Sequence, residues 1–95
     1  MRSSVLHYVQ RTQESVVLDD ASVQNQFSAD AYLHQTHARS VLCLSLVKQS
    51  KLIGVLHLEN HLTPQVFTPA RIAVLQLLAS QAAISLQRFA VDRID

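Results

Sequence analysis

Val41 to Val47 and Leu52 to Leu58 are two nearly continuous apolar runs, separated by Lys48-Gln49-Ser50-Lys51 and ended by Glu59-Asn60. Apolar runs of this length around a short polar break predict a β-hairpin. Side chains alternate across a strand, so the pairing register decides which residues share a face. If Val47 opposes Leu52, paired numbers sum to about 99. One face then carries Val41, Cys43, Ser45, Leu52, Gly54, Leu56 and Leu58. The other carries Leu42, Leu44, Leu46, Ile53, Val55, His57 and Glu59. A slip by one residue exchanges the faces of one strand. Both faces are mostly apolar, so both require cover from helices or loops.

Phe67-Thr68-Pro69 opens a long helix. Thr68 is a suitable N-cap, Pro69 fits the first helical position, and Phe67 with Ile72 stands where a hydrophobic staple forms. No Gly or Pro follows from 70 to 95. Ile72, Leu75, Ala79, Ala82, Leu86 and Phe89 make one apolar stripe, while Leu77, Leu78, Ile84 and Val91 lie off it. No charge interrupts the stretch between Arg71 and Arg88. A helix apolar on more than one side needs more than one partner. The expected second partner is another copy, so a homodimer is predicted through the helix from Pro69 to about Phe89. In that reading Ala79 and Ala82 sit at the crossing, flanked by Leu75 and Leu86.

The first half carries weaker signals. Ser3 or Ser4 can cap a short helix that ends near Arg11, and Ser15-Val16-Val17-Leu18 before Asp19-Asp20 reads as a short strand stopped by a turn. Residues 21–40 are polar, with one short helix expected near 29–36. The chain reads as one small α+β domain or as the back half of a larger one, since about three strands are a thin scaffold for so long a helix.

Composition excludes several classes of function. There are 8 Lys plus Arg against 7 Asp plus Glu, a net charge of +1, which gives no electrostatic footprint for nucleic acid. No apolar run approaches the roughly 20 residues of a membrane span. The single cysteine permits no internal disulfide and suggests a reducing, cytoplasmic setting. The single glycine excludes Gly-rich phosphate loops and dinucleotide fingerprints.

Candidate chemistry is sparse. His34 and His37 have i, i+3 spacing, with Asp30 as a third potential zinc ligand, but two solvated histidines in a polar segment is the favoured reading. Cys43 lies among aliphatic residues, which raises a thiol pKa and makes it inert. Asp19-Asp20 suits a turn better than acid/base work, because adjacent strand residues point to opposite faces. Ser45, Ser80 and Ser85 have no His and acid at a nucleophile-motif spacing. His57 and Glu59 share one strand face, where they can bind each other or orient a ligand.

Three segments together resemble the C-terminal two thirds of a GAF domain: Ser40-Val-Leu-Cys-Leu-Ser-Leu46, Leu52-Ile-Gly-Val-Leu-His-Leu-Glu-Asn60, and Phe67-Thr-Pro-Ala-Arg71 leading to Leu77-Leu-Ala-Ser-Gln-Ala-Ala-Ile-Ser-Leu86. Tyr8 to Asp20 and Ala29-Asp-Ala-Tyr-Leu33 are similar to the GAF domain of sensor histidine kinases that also carry Ser/Thr-kinase-like and ATPase-like regions. The resemblance implies a truncated GAF-like antiparallel sheet with a long C-terminal helix over 1–95. It also implies a non-catalytic, cytoplasmic sensor or dimerisation module of a signal-transduction kinase. Such domains bind small molecules on one sheet face, which implies a site at Leu42, Leu44, Val55, His57 and Glu59 covered by Asp30 to Arg39. A nucleotide or tetrapyrrole ligand, or a ligand-free structural role, are the alternatives, and no cofactor is named by these residues. Departures limit the likeness. Ser45 stands where the family usually has Pro, and His57 where it often has Tyr. Arg71 and Ile72 replace the acidic pair of the cyclic-nucleotide subset, and Cys43 lies mid-strand rather than at a bilin-attachment position.

Overall fold

The computed structural model describes residues 4–23, 26–27, 31–86 and 89–91. Along the chain run α1 (Ser4–Thr12), β1 (Val16–Leu18), α2 (Ala31–Thr36), β2 (Ser40–Lys48), β3 (Lys51–Asn60), α3 (Pro69–Leu86) and β4 (Phe89–Val91). One sheet has the order β1-β2-β3-β4. The pairs β1–β2 and β2–β3 are antiparallel, and β3–β4 is parallel. The expected α+β class and antiparallel hairpin are present, with one short parallel edge strand added.

The hairpin register is 99 only at its tip. Val47 pairs with Leu52 and Lys48 with Lys51, but Leu46 pairs with Gly54 and every pair down to Ser40↔Asn60 sums to 100. Ile53 is the extra residue of a β-bulge. From Gly54 onward β3 therefore exchanges faces relative to the register predicted from the sequence. One face carries Val41, Cys43, Ser45, Val55, His57 and Glu59. The other carries Leu42, Leu44, Leu46, Gly54, Leu56 and Leu58. The expected ligand set is thereby divided, with Leu42 and Leu44 on one side and Val55, His57 and Glu59 on the other. A bulge leaves both apolar runs intact, so no change in the pattern announces it.

Each face has its own core. Val41, Cys43 and Val55 pack with Val5 and Val9 of α1, Val16 of β1, and Phe27, Leu33 and Ala38 of the segment before β2. On the reverse face Leu42, Leu44, Leu46, Leu56 and Leu58 pack with Ala79 of α3 and with half-buried Ile53, Phe67, Ile72 and Leu75. Leu42, Leu44 and Leu46 are at most 1% exposed, and burying each is worth about 1.5–3 kcal/mol.

α3 begins as its sequence requires. The Arg71 amide donates to Thr68 Oγ1 at 3.3 Å, and the Ile72 amide to the Thr68 carbonyl at 2.9 Å. Phe67 and Ile72 both join the core on that side, as a staple does. Ile72, Leu75 and Ala79 face the sheet, so this part of the stripe packs in the molecule's own core. Val74, Leu77 and Leu78 are instead 57–63% exposed. The helix ends at Leu86 rather than near Phe89, and Phe89–Val91 pair with Gly54–Leu56. Phe and Val are good strand formers, and β3 offers them a backbone ladder that a longer helix would leave unmet.

With one glycine in the chain, turns must be made by other residues. Gln13, His37, Gln49, Ser50 and Gln65 all have positive φ, between 52° and 64°. Gln13 and His37 end α1 and α2, donating their amides to the carbonyls of Val9 (2.8 Å) and Leu33 (3.1 Å). Gln49 and Ser50 form the two-residue hairpin turn, in which both residues are left-handed as a type I′ turn demands. The turn is thus shorter than the four-residue polar break. Asp20, after β1, accepts from Arg39 Nε at 3.1 Å and Nη2 at 3.0 Å, and from the Ser22 amide and hydroxyl. The Arg39 guanidinium first, and Ser22 next, hold its carboxyl well below the usual carboxylate range.

The tip of the hairpin is poorly optimised. Non-glycine residues at positive φ cost about 1–3 kcal/mol each, and Lys48 lies directly opposite Lys51. Gln49→Asn with Ser50→Gly is expected to raise unfolding stability by about 1–2 kcal/mol. Urea denaturation checks this, and an unchanged midpoint would contradict the turn geometry.

Candidate functional site

The face of β2–β3 that looks toward α1 is apolar at Val41, Cys43 and Val55 and then turns polar at His57 and Glu59. His57 is 3% exposed and Glu59 2%. Alternation along β3 puts residues 57 and 59 on the same side, and His61 follows just past the strand end. His57 Nε2 lies 2.8 Å from Glu59 Oε2, and His61 Nε2 lies 3.0 Å from Glu59 Oε1. Each carboxylate oxygen therefore has its own imidazole. When ionised, a carboxylate is acceptor-only, and each bond to it then requires the ring to carry its proton on Nε2. The side chain of Glu59 is fully buried and that of His61 is one third exposed. The three residues run from the buried sheet face to the surface loop that leads into α3.

The cover over this face comes from α1 and the segment before β2. Val5 and Val9 are fully buried, and Tyr8 meets Phe27 edge to face with centroids 5.6 Å apart. Ser45, where β2 passes beneath the end of α1, is tied down twice. Its hydroxyl donates to the Gln13 carbonyl at 2.8 Å, and its amide donates to Ser15 Oγ at 3.0 Å. Those bonds give Ser45 a structural role.

Cys43 pairs with His57 across the strands and shares its face. Burial pushes its thiol up to about 12. A thiol so far above neutral pH holds almost no thiolate, so it packs as a small hydrophobe. A disulfide reagent at pH 8 is expected to leave Cys43 unmodified in the folded chain and to label it on unfolding in urea. Rapid labelling of the folded chain would contradict this burial.

The remaining candidates separate in space. Leu42 and Leu44 belong to the core beneath α3. His37 ends α2 and is exposed. Asp30 and the side chain of His34 lie outside the described residues, and so does the side chain of Ser85. Among the described residues no cluster of three His, Cys, Asp or Glu side chains is arranged to hold a metal ion, and no helix is long and apolar enough to cross a membrane. His61 joins the residues expected on this face, and its i+2 spacing from Glu59 carries the signal one step beyond the strand.

This arrangement of a hairpin buried on both faces, a helix beneath and a polar end to the upper face coincides with a family match. The model for the GAF domain matches residues 2–86. The chain belongs to the GAF domain family. It is also 35% identical over 82 residues to hybrid signal transduction histidine kinase G of Dictyostelium discoideum. That similarity covers 86% of this chain and 2% of the relative, so the chain spans about one fiftieth of that protein's length. No solved structure matches the chain. The GAF match ends at Leu86, the last residue of α3, so β4 lies outside it.

Proposed function

We propose that this GAF domain is the regulatory sensor module of a cytoplasmic signal-transduction kinase and has no catalytic activity of its own. Membership of the family carries the regulatory part of this reading. Similarity to a histidine kinase supports the kinase context. The input face is that of Val55, His57 and Glu59, roofed by α1 and the segment before β2. A buried carboxylate and imidazole among aliphatic residues are the few fixed polar groups that a small-molecule site uses for orientation. Leu42 and Leu44 support that site from below the sheet. A ligand with a hydrogen-bonding edge, such as a nucleotide base or a tetrapyrrole, suits this floor. His57→Ala is expected to weaken such binding by about 1–3 kcal/mol. Thermal shift with nucleotides and the absorbance of the purified protein test the site. Unchanged affinity in His57→Ala would reassign His57 to packing.

The output element is α3, and the proposed partner is a second copy. Ile72, Leu75 and Ala79 are used by the sheet, which leaves Val74, Leu77 and Leu78 as an uncharged, exposed apolar strip. Strips of this kind mark interaction sites more often than bare surface. The interface therefore lies one helical face away from the stripe of Ala79 and Ala82. The chain is expected to sediment as a dimer at micromolar concentration. Leu77→Glu with Leu78→Glu is expected to give a folded monomer, since neither side chain is in the core. A dimer that survives both changes would place the interface elsewhere.

A further inference from the structure

Glu59 holds an imidazole on each carboxylate oxygen, His57 at 2.8 Å and His61 at 3.0 Å. His57 is buried, while His61 reaches solvent. With the carboxylate ionised, the His57 bond requires the proton on Nε2, and the neutral ring then keeps a lone pair on Nδ1. The nitrogens of an imidazole point in diverging directions. An Nε2 aimed along β3 at Glu59 therefore leaves Nδ1 aimed away from it. Among the described residues the His57 ring makes no hydrogen bond except the one to Glu59. The two nearest sources of a donor on this face are otherwise engaged. Ser45 gives its hydroxyl to the Gln13 carbonyl, and burial alone raises the Cys43 thiol, with no hydrogen bond contributing. No side-chain nitrogen or oxygen among the described residues is both sealed from solvent and without a hydrogen bond. The small exposed part of His57 thus includes Nδ1.

We propose that Glu59 is a positioning residue that fixes the His57 proton on Nε2, and that Nδ1 thereby selects a ligand presenting an uncharged N–H or O–H donor to it. The inference rests on the ligand site read above at Val55, His57 and Glu59, and it names the class of ligand that site takes. The hydrogen bond made by one ring nitrogen decides which nitrogen carries the proton. His61 makes the arrangement firm, because the carboxylate cannot turn away from His57 without losing a second hydrogen bond. A group that only accepts, such as an ether, carbonyl or phosphate oxygen, would set lone pair against lone pair at Nδ1. An anion is disfavoured further, since a buried carboxylate lies beside it. No Lys or Arg stands on this face of the hairpin from Val41 to Ser45 or from Val55 to Glu59 to offset that charge. The aliphatic side chains around the ring suit a flat apolar body carrying the donor.

Nitrogen-15 spectra of the histidine side chains test the positioning role with no ligand present, because a protonated ring nitrogen and one bearing a lone pair resonate far apart. At pH 8 the unaltered chain is expected to show His57 protonated on Nε2 and unprotonated on Nδ1. Glu59→Leu, with the amide pattern of the sheet retained, is expected to average the two resonances toward the tautomer mixture of a free imidazole. A proton on Nδ1 of the unaltered chain, or unaveraged resonances in Glu59→Leu, overturns the positioning role. The unaltered chain alone decides where the proton sits. Two probes of one shape then test the ligand class. Indole carries one N–H donor, and benzofuran, its oxygen counterpart, carries none. Indole is expected to bind at least about tenfold more tightly than benzofuran and to move the His57 Nδ1 resonance. Equal binding of the two overturns the selection for a donor. A fixed tautomer that responds to neither probe overturns the ligand site itself.

Discussion

The β2–β3 hairpin is the element on which the rest of this molecule depends. Its strands are buried from Ser40 to Leu46 and from Val55 to Glu59, so it forms the shared wall of two cores. Among the described residues α1 and α3 join different cores. Each is held through its own side of the hairpin. The bulge at Ile53 decides what each side presents. Without it, His57 and Glu59 would fall beneath α3 among leucines, with no imidazole from the following loop to complete the carboxylate. With it, five leucines meet α3 and the polar pair meets α1. One inserted residue thus separates the packing face from the face proposed to sense.

Scarcity of glycine shapes the remainder. The residues that follow both short helices, the hairpin tip and the loop before α3 all include non-glycine positions at positive φ. Each such residue costs stability that the packing must offset. The loop before α3 is fixed by an Asx turn, in which Asn60 Oδ1 accepts from the Leu62 and Thr63 amides, and by longer-range hydrogen bonds. The Gln65 amide donates to the Asp19 carbonyl at 2.6 Å. The Ser40 hydroxyl donates to the Thr63 carbonyl at 2.6 Å and accepts from the Val66 amide at 3.2 Å. This loop also carries His61, the solvent end of the pair of hydrogen bonds on Glu59. A change at the buried imidazole therefore has a short covalent and hydrogen-bonded route to the start of α3, which is the physical requirement for coupling an input to an output helix.

Much of this was legible in the residues. The hairpin, the capped start of α3 at Thr68-Pro69, the short strand at Val16 and the helix at Ala31 all follow from local pattern and chemistry. Family resemblance was legible because Leu-Ile-Gly-Val-Leu-His-Leu-Glu-Asn and Phe-Thr-Pro lie where the fold needs them. Three features were not. A bulge changes pairing without changing the order of apolar residues, so Leu42 and Leu44 were grouped with His57 although they face the other way. The stripe of α3 shows which residues share a side, but not whether the sheet or a second copy takes that side. Phe89 fits both the helical stripe and a strand, and only the open edge of β3 decides between them.

The bulge sets His57 and Glu59 on the face opposite α3. Cross-strand backbone contacts in a nuclear Overhauser spectrum measure that register directly. Contacts are expected between Cys43 and His57 and between Leu42 and Leu58, with Val47 meeting Leu52 at the tip. Contacts linking Cys43 to Leu56 and Leu42 to His57 would instead show an unbulged hairpin with the polar pair on the α3 side.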